Sequence, residues 1–277
     1  MFSDLTLARR LERAEGLANV ESVASRARLD PGRGAAWIEV GGAWAMFDGV
    51  DSPLTQTFGL GMSAPARPGD LDTIEAFYAE RGAPVLHEIC PLADPQLLPL
   101  LHERGYCPLE FTSILYRPLS PCPAGEQARE AEEQRGVAVR LVGPAEYDLW
   151  SRVAAEGWSE YPELAGFMKD VGQVTVERAH TYGFLATLDG APIASGALSI
   201  HDGVALLAGA STVPSGRRRG AQLALLAARL RFAADHGCDL AMMGAAPGSA
   251  SQRNAERHGF RIAYTRLKWA RKAQRGS

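Results

Sequence analysis

Cysteine is scarce in this 277-residue sequence. Cys90, Cys107, Cys122 and Cys238 are widely spaced, with no CxxC pair and no histidine pair beside them. That spacing argues against both a zinc site and a disulfide framework, and no metal is expected. Long apolar runs are missing too. Nothing approaches the roughly 18 consecutive apolar residues of a membrane-spanning helix. Residues 1–13 are charged and lack the apolar core of a secretion leader, so a soluble cytoplasmic protein is the expectation. Neither GxxxxGK[ST] nor GxGxxG occurs, which disfavours a Walker loop and a nicotinamide or flavin Rossmann site. Hydrophobic residues make up 46% and charged residues 22%, ordinary globular values that exclude a disordered chain, a collagen and a coiled coil.

The net charge of −3 is unevenly spread. Residues 1–120 carry 10 basic and 16 acidic side chains, residues 121–277 carry 19 and 16. The C-terminal part is the better home for an anionic ligand, but its small excess does not argue for nucleic acid. Residues 121–136, PCPAGEQAREAEEQRG, combine prolines, glycines and a charge run without apolar periodicity, and read as a linker. The expected division is a domain over 1–120, the linker, and a domain over 137–277.

In the C-terminal part, Val137–Val142 alternates as a short strand. Pro144–Trp158 and Glu163–Ala179 read as helices. Asp189-Gly190 and Asp202-Gly203 are turn signals between apolar runs, so Thr181–Thr187, Pro192–Ile200 and Val204–Val213 form an antiparallel meander. Ala221–His236 is a helix apolar on most faces, Asp239–Gly244 a strand, Ser249–His258 a helix, and Phe260–Ala270 one or two strands. This order sets one β-α-β crossover into an antiparallel sheet. The fold class is mixed α/β, a mostly antiparallel sheet flanked by helices.

The N-terminal part repeats the order more faintly: helix Leu5–Arg28, strands Ala35–Val40, Ala43–Phe47 and Leu54–Leu60, helix Leu71–Arg81, strand Pro84–Ile89, helix Pro95–Arg104, and a strand pair in Tyr106–Arg117. Arg104-Gly105-Tyr106 and His258-Gly259-Phe260 end their helices alike, 154 residues apart. The reading is a diverged internal duplication, two tandem copies of one fold.

The segment that carries chemistry is Thr212-Val213-Pro214-Ser215-Gly216-Arg217-Arg218-Arg219-Gly220-Ala221-Gln222, between an apolar strand and a buried helix. A helix N-terminus presents backbone N–H groups and positive dipole charge to phosphate. Gly220 lets a phosphate approach the backbone, and three arginines add charge-assisted hydrogen bonds.

This segment resembles the phosphate loop of the GNAT superfamily of N-acetyltransferases, in which a strand runs into a valine, a proline, an arginine and a glycine and then a helix. Val213, Pro214, Arg217 and Gly220 are the counterparts. Ser251-Gln252-Arg253-Asn254-Ala255-Glu256-Arg257-His258-Gly259-Phe260 is similar to the family's later helix and its Gly-Phe ending, and the element order matches over residues 137–271. The resemblance implies acetyl-coenzyme A as cosubstrate. It places the pantetheine arm on the backbone of Ser211, Thr212 and Val213. It gives the pyrophosphate to the amides of Arg218, Arg219, Gly220, Ala221 and Gln222, beside Arg217.

Direct transfer to an amine needs a base for the amine proton, a donor for the thioester oxygen and an acid for the leaving thiolate. Many GNAT members carry a tyrosine acid where this sequence has Ala255. Ser251 and Asn254 are the polar neighbours that could contact the cofactor or thiolate. Glu160 is the base candidate and Tyr161 an alternative acid, from a loop that borders the acceptor pocket in this fold. Gln222 stands where the family has a small residue, and Arg218 where it often has glycine.

The matching N-terminal stretch, Gly59 to Asp70, has two prolines without amide donors and an acidic helix start at Asp70 and Asp72. It should not bind coenzyme A. The leading expectation is an N-acetyltransferase acting on a small-molecule or peptide amine. The alternatives are a coenzyme A or acyl-CoA sensor without turnover, and a transferase of another acyl or aminoacyl group. Neither nucleic acid nor membrane is an expected partner.

Overall fold

The computed structural model describes residues 2–120, 136–160, 170 and 172–271. The chain divides into two compact units, 1–117 with 244–277 and 118–243.

In the first unit, helix α1 (Leu5–Leu29) is started by Asp4, whose carboxylate accepts from the Leu7 N–H at 2.9 Å. Strands β1 (Ala36–Val40) and β2 (Ala43–Phe47) form a hairpin across Gly41 and Gly42. Both glycines take positive φ, +59° and +78°, as a twist-matched two-residue turn requires. There follow β3 (Gln56–Phe58), α2 (Pro68–Ala79), β4 (Leu86–Ile89), α3 (Leu97–Glu103) and β5 (Tyr106–Pro118). Helix α2 starts three residues before the expected Leu71 because Pro68 fits the first helical turn, where no N–H is needed. β5 is one 13-residue strand, not the expected pair; no turn residue interrupts it.

The second unit holds β6 (Val137–Leu141), α4 (Tyr147–Glu156), β7 (Thr181–Leu188), β8 (Ala191–His201), β9 (Val204–Thr212), α5 (Ala221–Asp235) and the start of β10 (Leu240–Ala245). Strands β6 to β9 are successive antiparallel neighbours, and α5 carries the chain over to β10, parallel to β9. β7, β8 and β9 are the expected hairpin-linked meander, and β6, separated from β7 in sequence by α4, pairs beside it. Helix α6 (Ala250–Arg257) and β11 (Arg261–Arg271) complete the chain.

Residues 244–271, placed with 137–243 in the sequence reading, group here with residues 2–117. β11 lies between β4 and β5, antiparallel to both, giving the order β1-β2-β3-β4-β11-β5. Its Arg266 is buried under α1. The guanidinium lies 3.3 Å from Glu12, 2.8 Å from Glu15 and 3.2 Å from Glu88, and Lys268 also reaches Glu88 at 3.3 Å. Burial by itself would lower the Arg266 pKa; Glu12, Glu15 and Glu88 outweigh it and hold it well above its ordinary value. Apolar alternation does not record which sheet a strand joins, so the sequence left this partnership unseen. The other face of this sheet closes over Leu71, Ile74, Phe77, Tyr78, Leu97 and Leu101. Of the expected linker, residues 121–135 lie outside the described residues. Among the described residues, no helix is long and apolar enough to cross a membrane.

Candidate acyl-donor site

The site is built on β9. Antiparallel pairing with β8 runs from His201–Val204 to Ala197–Ala208, then shifts and resumes at Ser195–Ser211. Gly209 and Ala210 thus oppose Gly196 alone, a β-bulge with Gly209 at φ +60°. On its other edge β9 pairs with β10 only from Val204–Leu240 to Leu206–Met242. Past that point the two parallel strands part. Val204 to Leu207 are buried, whereas Ala208, Gly209 and Ala210 are exposed.

Helix α4 abuts the end of β9. The Ser211 hydroxyl donates to the Ala154 carbonyl at 3.0 Å, and a Cβ at Gly157 would stand 2.6 Å from Ser211 Cβ. Glycine is required there by close approach. Trp150, wholly buried on α4, donates its indole N–H to the carbonyls of Phe184 (3.0 Å) and Gly196 (3.3 Å).

Beyond Thr212 the Val213 N–H donates to Ile193 O at 2.9 Å, and Pro214–Gly216 make one 3-10 turn. Arg217 is extended, Arg218 takes φ +61° and Gly220 φ +86°. The first hydrogen bonds of α5 run from the N–H groups of Leu223 and Ala224 to Gly220 O, each 3.0 Å. The N–H groups of Arg218 to Gln222 precede these bonds, so helix geometry gives them no acceptor. Gln222 does not disturb this array. Its amide reaches back to donate to the Thr212 hydroxyl at 2.7 Å, tying strand end to helix start.

Of the residues singled out in the sequence, the second unit gathers Ser211, Thr212, Val213, Arg217, Arg218, Arg219, Gly220, Ala221 and Gln222 on one strand-loop-helix junction. It adds Glu160, whose carboxylate lies 2.7 Å from the Arg217 guanidinium. Arg217 also donates to the Gly157 carbonyl at 3.4 Å. Tyr161 lies outside the described residues. Ser251 and Asn254 stand on α6, in the first unit; Ser251 is exposed and Asn254 half-buried. The cap of α6 is Ser249, which accepts from the Gln252 N–H at 3.1 Å. Ala255 is buried.

Three residues of this region were not singled out in the sequence: Trp150, Gly209 and Arg229. Arg229, on α5, is 4% exposed. Burial draws its guanidinium down to about 10, so it remains charged at neutral pH. A glycine inside a strand and an arginine inside an apolar helix were the signals available.

At the corresponding place in the first unit, Gly59 and Gly61 take positive φ. The start of α2 is closed by the Asp70 carboxylate, which accepts from the Arg67 N–H at 2.9 Å.

No protein-family model matches the sequence, and no curated protein does. Solved structures do match. A GCN5-related N-acetyltransferase from Kribbella flavida superposes with a TM-score of 0.60 at 21% identity, over 92% of this chain and 96% of that one. The chain has the GNAT fold. A tandem GNAT protein from the clavulanic acid biosynthesis pathway gives a TM-score of 0.58 at 14% identity, over 86% of this chain and 80% of that one. A C-terminal domain assigned to a lysylphosphatidylglycerol synthetase from Agrobacterium fabrum gives 0.54 at 14% identity, over 96% and 93%. These likenesses extend over residues of both units.

Proposed function

We propose that this chain is an N-acyltransferase that moves an acetyl group from acetyl-coenzyme A to an amine. The observation that carries the reading is the junction at Arg218 to Gln222. Consecutive N–H groups lacking helical acceptors, beside three arginines, stand at the end of a strand that its parallel neighbour leaves after Leu206. The array suits a pyrophosphate. The open edge of β9 suits the amide-bearing pantetheine arm, which extends a sheet as a strand does.

In the reaction, the lone pair of a neutral amine attacks the thioester carbonyl and a C–N bond forms. The oxygen gathers negative charge, which backbone donors at the exposed bulge would stabilise. The C–S bond then breaks, the thiolate takes a proton, and the amine nitrogen gives one up. Glu160 is the candidate to receive the amine proton, and Tyr161 and Ser251 are candidates to protonate the thiolate. Ala255 supplies no acid. The acceptor is a small-molecule or peptide amine.

Titration calorimetry with acetyl-coenzyme A tests the first step; saturable binding is expected, and none at millimolar ligand sinks the reading. Thiol release across polyamines, aminoglycosides, amino acids and peptide N-termini then identifies the acceptor. Binding without release in any acceptor would point instead to a sensor. A second reading, transfer of an aminoacyl group, is favoured by the likeness to the lysylphosphatidylglycerol synthetase domain. A donor panel with other thioesters and aminoacyl esters separates the two.

A further inference from the structure

A costly group in the second unit is the Arg229 guanidinium. It is buried, and no carboxylate pairs with it among the described residues. A buried charge without a counter-ion needs strong compensation. Here the compensation comes from three backbone carbonyls. Nε donates to Leu225 O at 3.1 Å within the helix, and Nη1 donates to Ala197 O at 3.1 Å and to Ala208 O at 3.4 Å.

Ala197 and Ala208 are cross-strand partners, the last pair before the bulge. Gly196, opposite the bulge, leaves the room. A Cβ there would stand 3.2 Å from the Arg229 Cζ. Trp150 packs on the bulge as well: a Cβ at Gly209 would meet its ring at 3.6 Å, and its indole holds Gly196 O. The bulge is thus fixed by one side chain from α5 and one from α4.

A trans peptide is planar, with C=O and N–H pointing opposite ways. Holding the Ala208 carbonyl on the guanidinium therefore turns the Gly209 N–H away from it. Hydrogen bonds in series also strengthen one another, and a cation on the carbonyl makes the N–H of the same peptide a better donor. Gly209 lies in the exposed stretch beside the parting of β9 and β10.

We infer that Arg229 is a positioning residue for acyl transfer: from within the core it sets the direction and the donor strength of the Gly209 N–H that faces the thioester oxygen. This rests on the proposed acyl transfer.

The test uses the full chain with Arg229→Met and Arg229→Lys. The Gly209 amide proton is read by NMR, and kcat and KM for acetyl-coenzyme A are measured per folded molecule. In Arg229→Met the Gly209 resonance should move upfield and kcat should fall about 10- to 100-fold, with KM within about twofold. Arg229→Lys, still able to donate to the carbonyls, should recover most of both. A Gly209 resonance unmoved in Arg229→Met, or a wild-type kcat there, overturns the inference. If Arg229→Met does not fold, Gly196→Ala crowds the guanidinium off its carbonyls and is read by the same resonance. Should the wild-type chain turn over no acyl donor, the functional reading fails on its own. The Gly209 resonance then still decides whether Arg229 polarises that peptide.

Discussion

The Glu160 carboxylate lies 2.7 Å from the Arg217 guanidinium. One partner comes from the turn after α4 and the other from the strand-to-helix loop, so the base candidate and a cation of the proposed phosphate loop restrain each other. A bound pyrophosphate would compete with Glu160 for Arg217.

We predict that Glu160→Gln frees Arg217 and tightens acetyl-coenzyme A binding about two- to fivefold, as expected for an exposed pair contributing less than about 1 kcal/mol. Turnover should fall at the same time if Glu160 receives the amine proton. Calorimetry and thiol release check the two effects separately. Weaker binding in the variant would show that Arg217 does not exchange partners.

Gly220 holds φ +86°, and Gly237, just past the other end of α5, holds +79° with open space around it. Alanine at either position should cost about 1–2 kcal/mol through left-handed strain. Only Gly220→Ala should weaken acetyl-coenzyme A binding, by tenfold or more, because it crowds and re-aims the donor array. Equal losses of affinity in both variants would assign the effect to strain alone.

Arg218 takes φ +61°, a conformation that disfavours a side chain. Arg218→Gly should raise stability by about 1 kcal/mol. It should also weaken acetyl-coenzyme A binding a few-fold through the lost cation. Urea unfolding and calorimetry on the same sample check both signs; a variant that binds as tightly as the wild type would remove the Arg218 side chain from the phosphate site.

His87 is buried in the first unit, and neither ring nitrogen finds a hydrogen-bond partner among the described residues. Burial lowers its pKa to about 3. The unfolded chain takes up a proton near pH 6.5 and the folded chain does not. The histidine's contribution is therefore complete above that pH and is lost as pH falls from about 6.5 towards 3. Glu12 and Glu88, raised by burial, work in the opposite direction, so the comparison must be between variants. From pH 7 to pH 4.5, wild type should lose roughly 2–3 kcal/mol more than His87→Met. Parallel pH profiles in urea unfolding would contradict this.

The sequence made the loop readable because its parts are local. A strand, an N-terminal helix turn and Gly220 lie within a dozen residues, and each has a composition signature. The hairpins at Asp189-Gly190 and Asp202-Gly203 were legible for the same reason. What was hidden is held together by distant partners. Glu12 and Arg266 are 254 residues apart in sequence, and neither looks unusual alone. The bulge at Gly209 needs the register with Gly196 to be seen. Arg229 could be passed over as a polar position on a helix, because the carbonyls it serves belong to other strands.

The place of β11 has a kinetic consequence. It is synthesised after every other strand described, yet it fills the gap between β4 and β5 near the beginning of the chain. The 1–117 segment leaves the ribosome with its sheet divided and two strand edges unsatisfied, a state prone to pairing with other chains. The later unit, continuous in sequence, can close first. Cleavage within residues 121–135 before β11 arrives should therefore strand the early segment as an aggregating half, whereas the same cut after folding should leave both pieces bound through that strand.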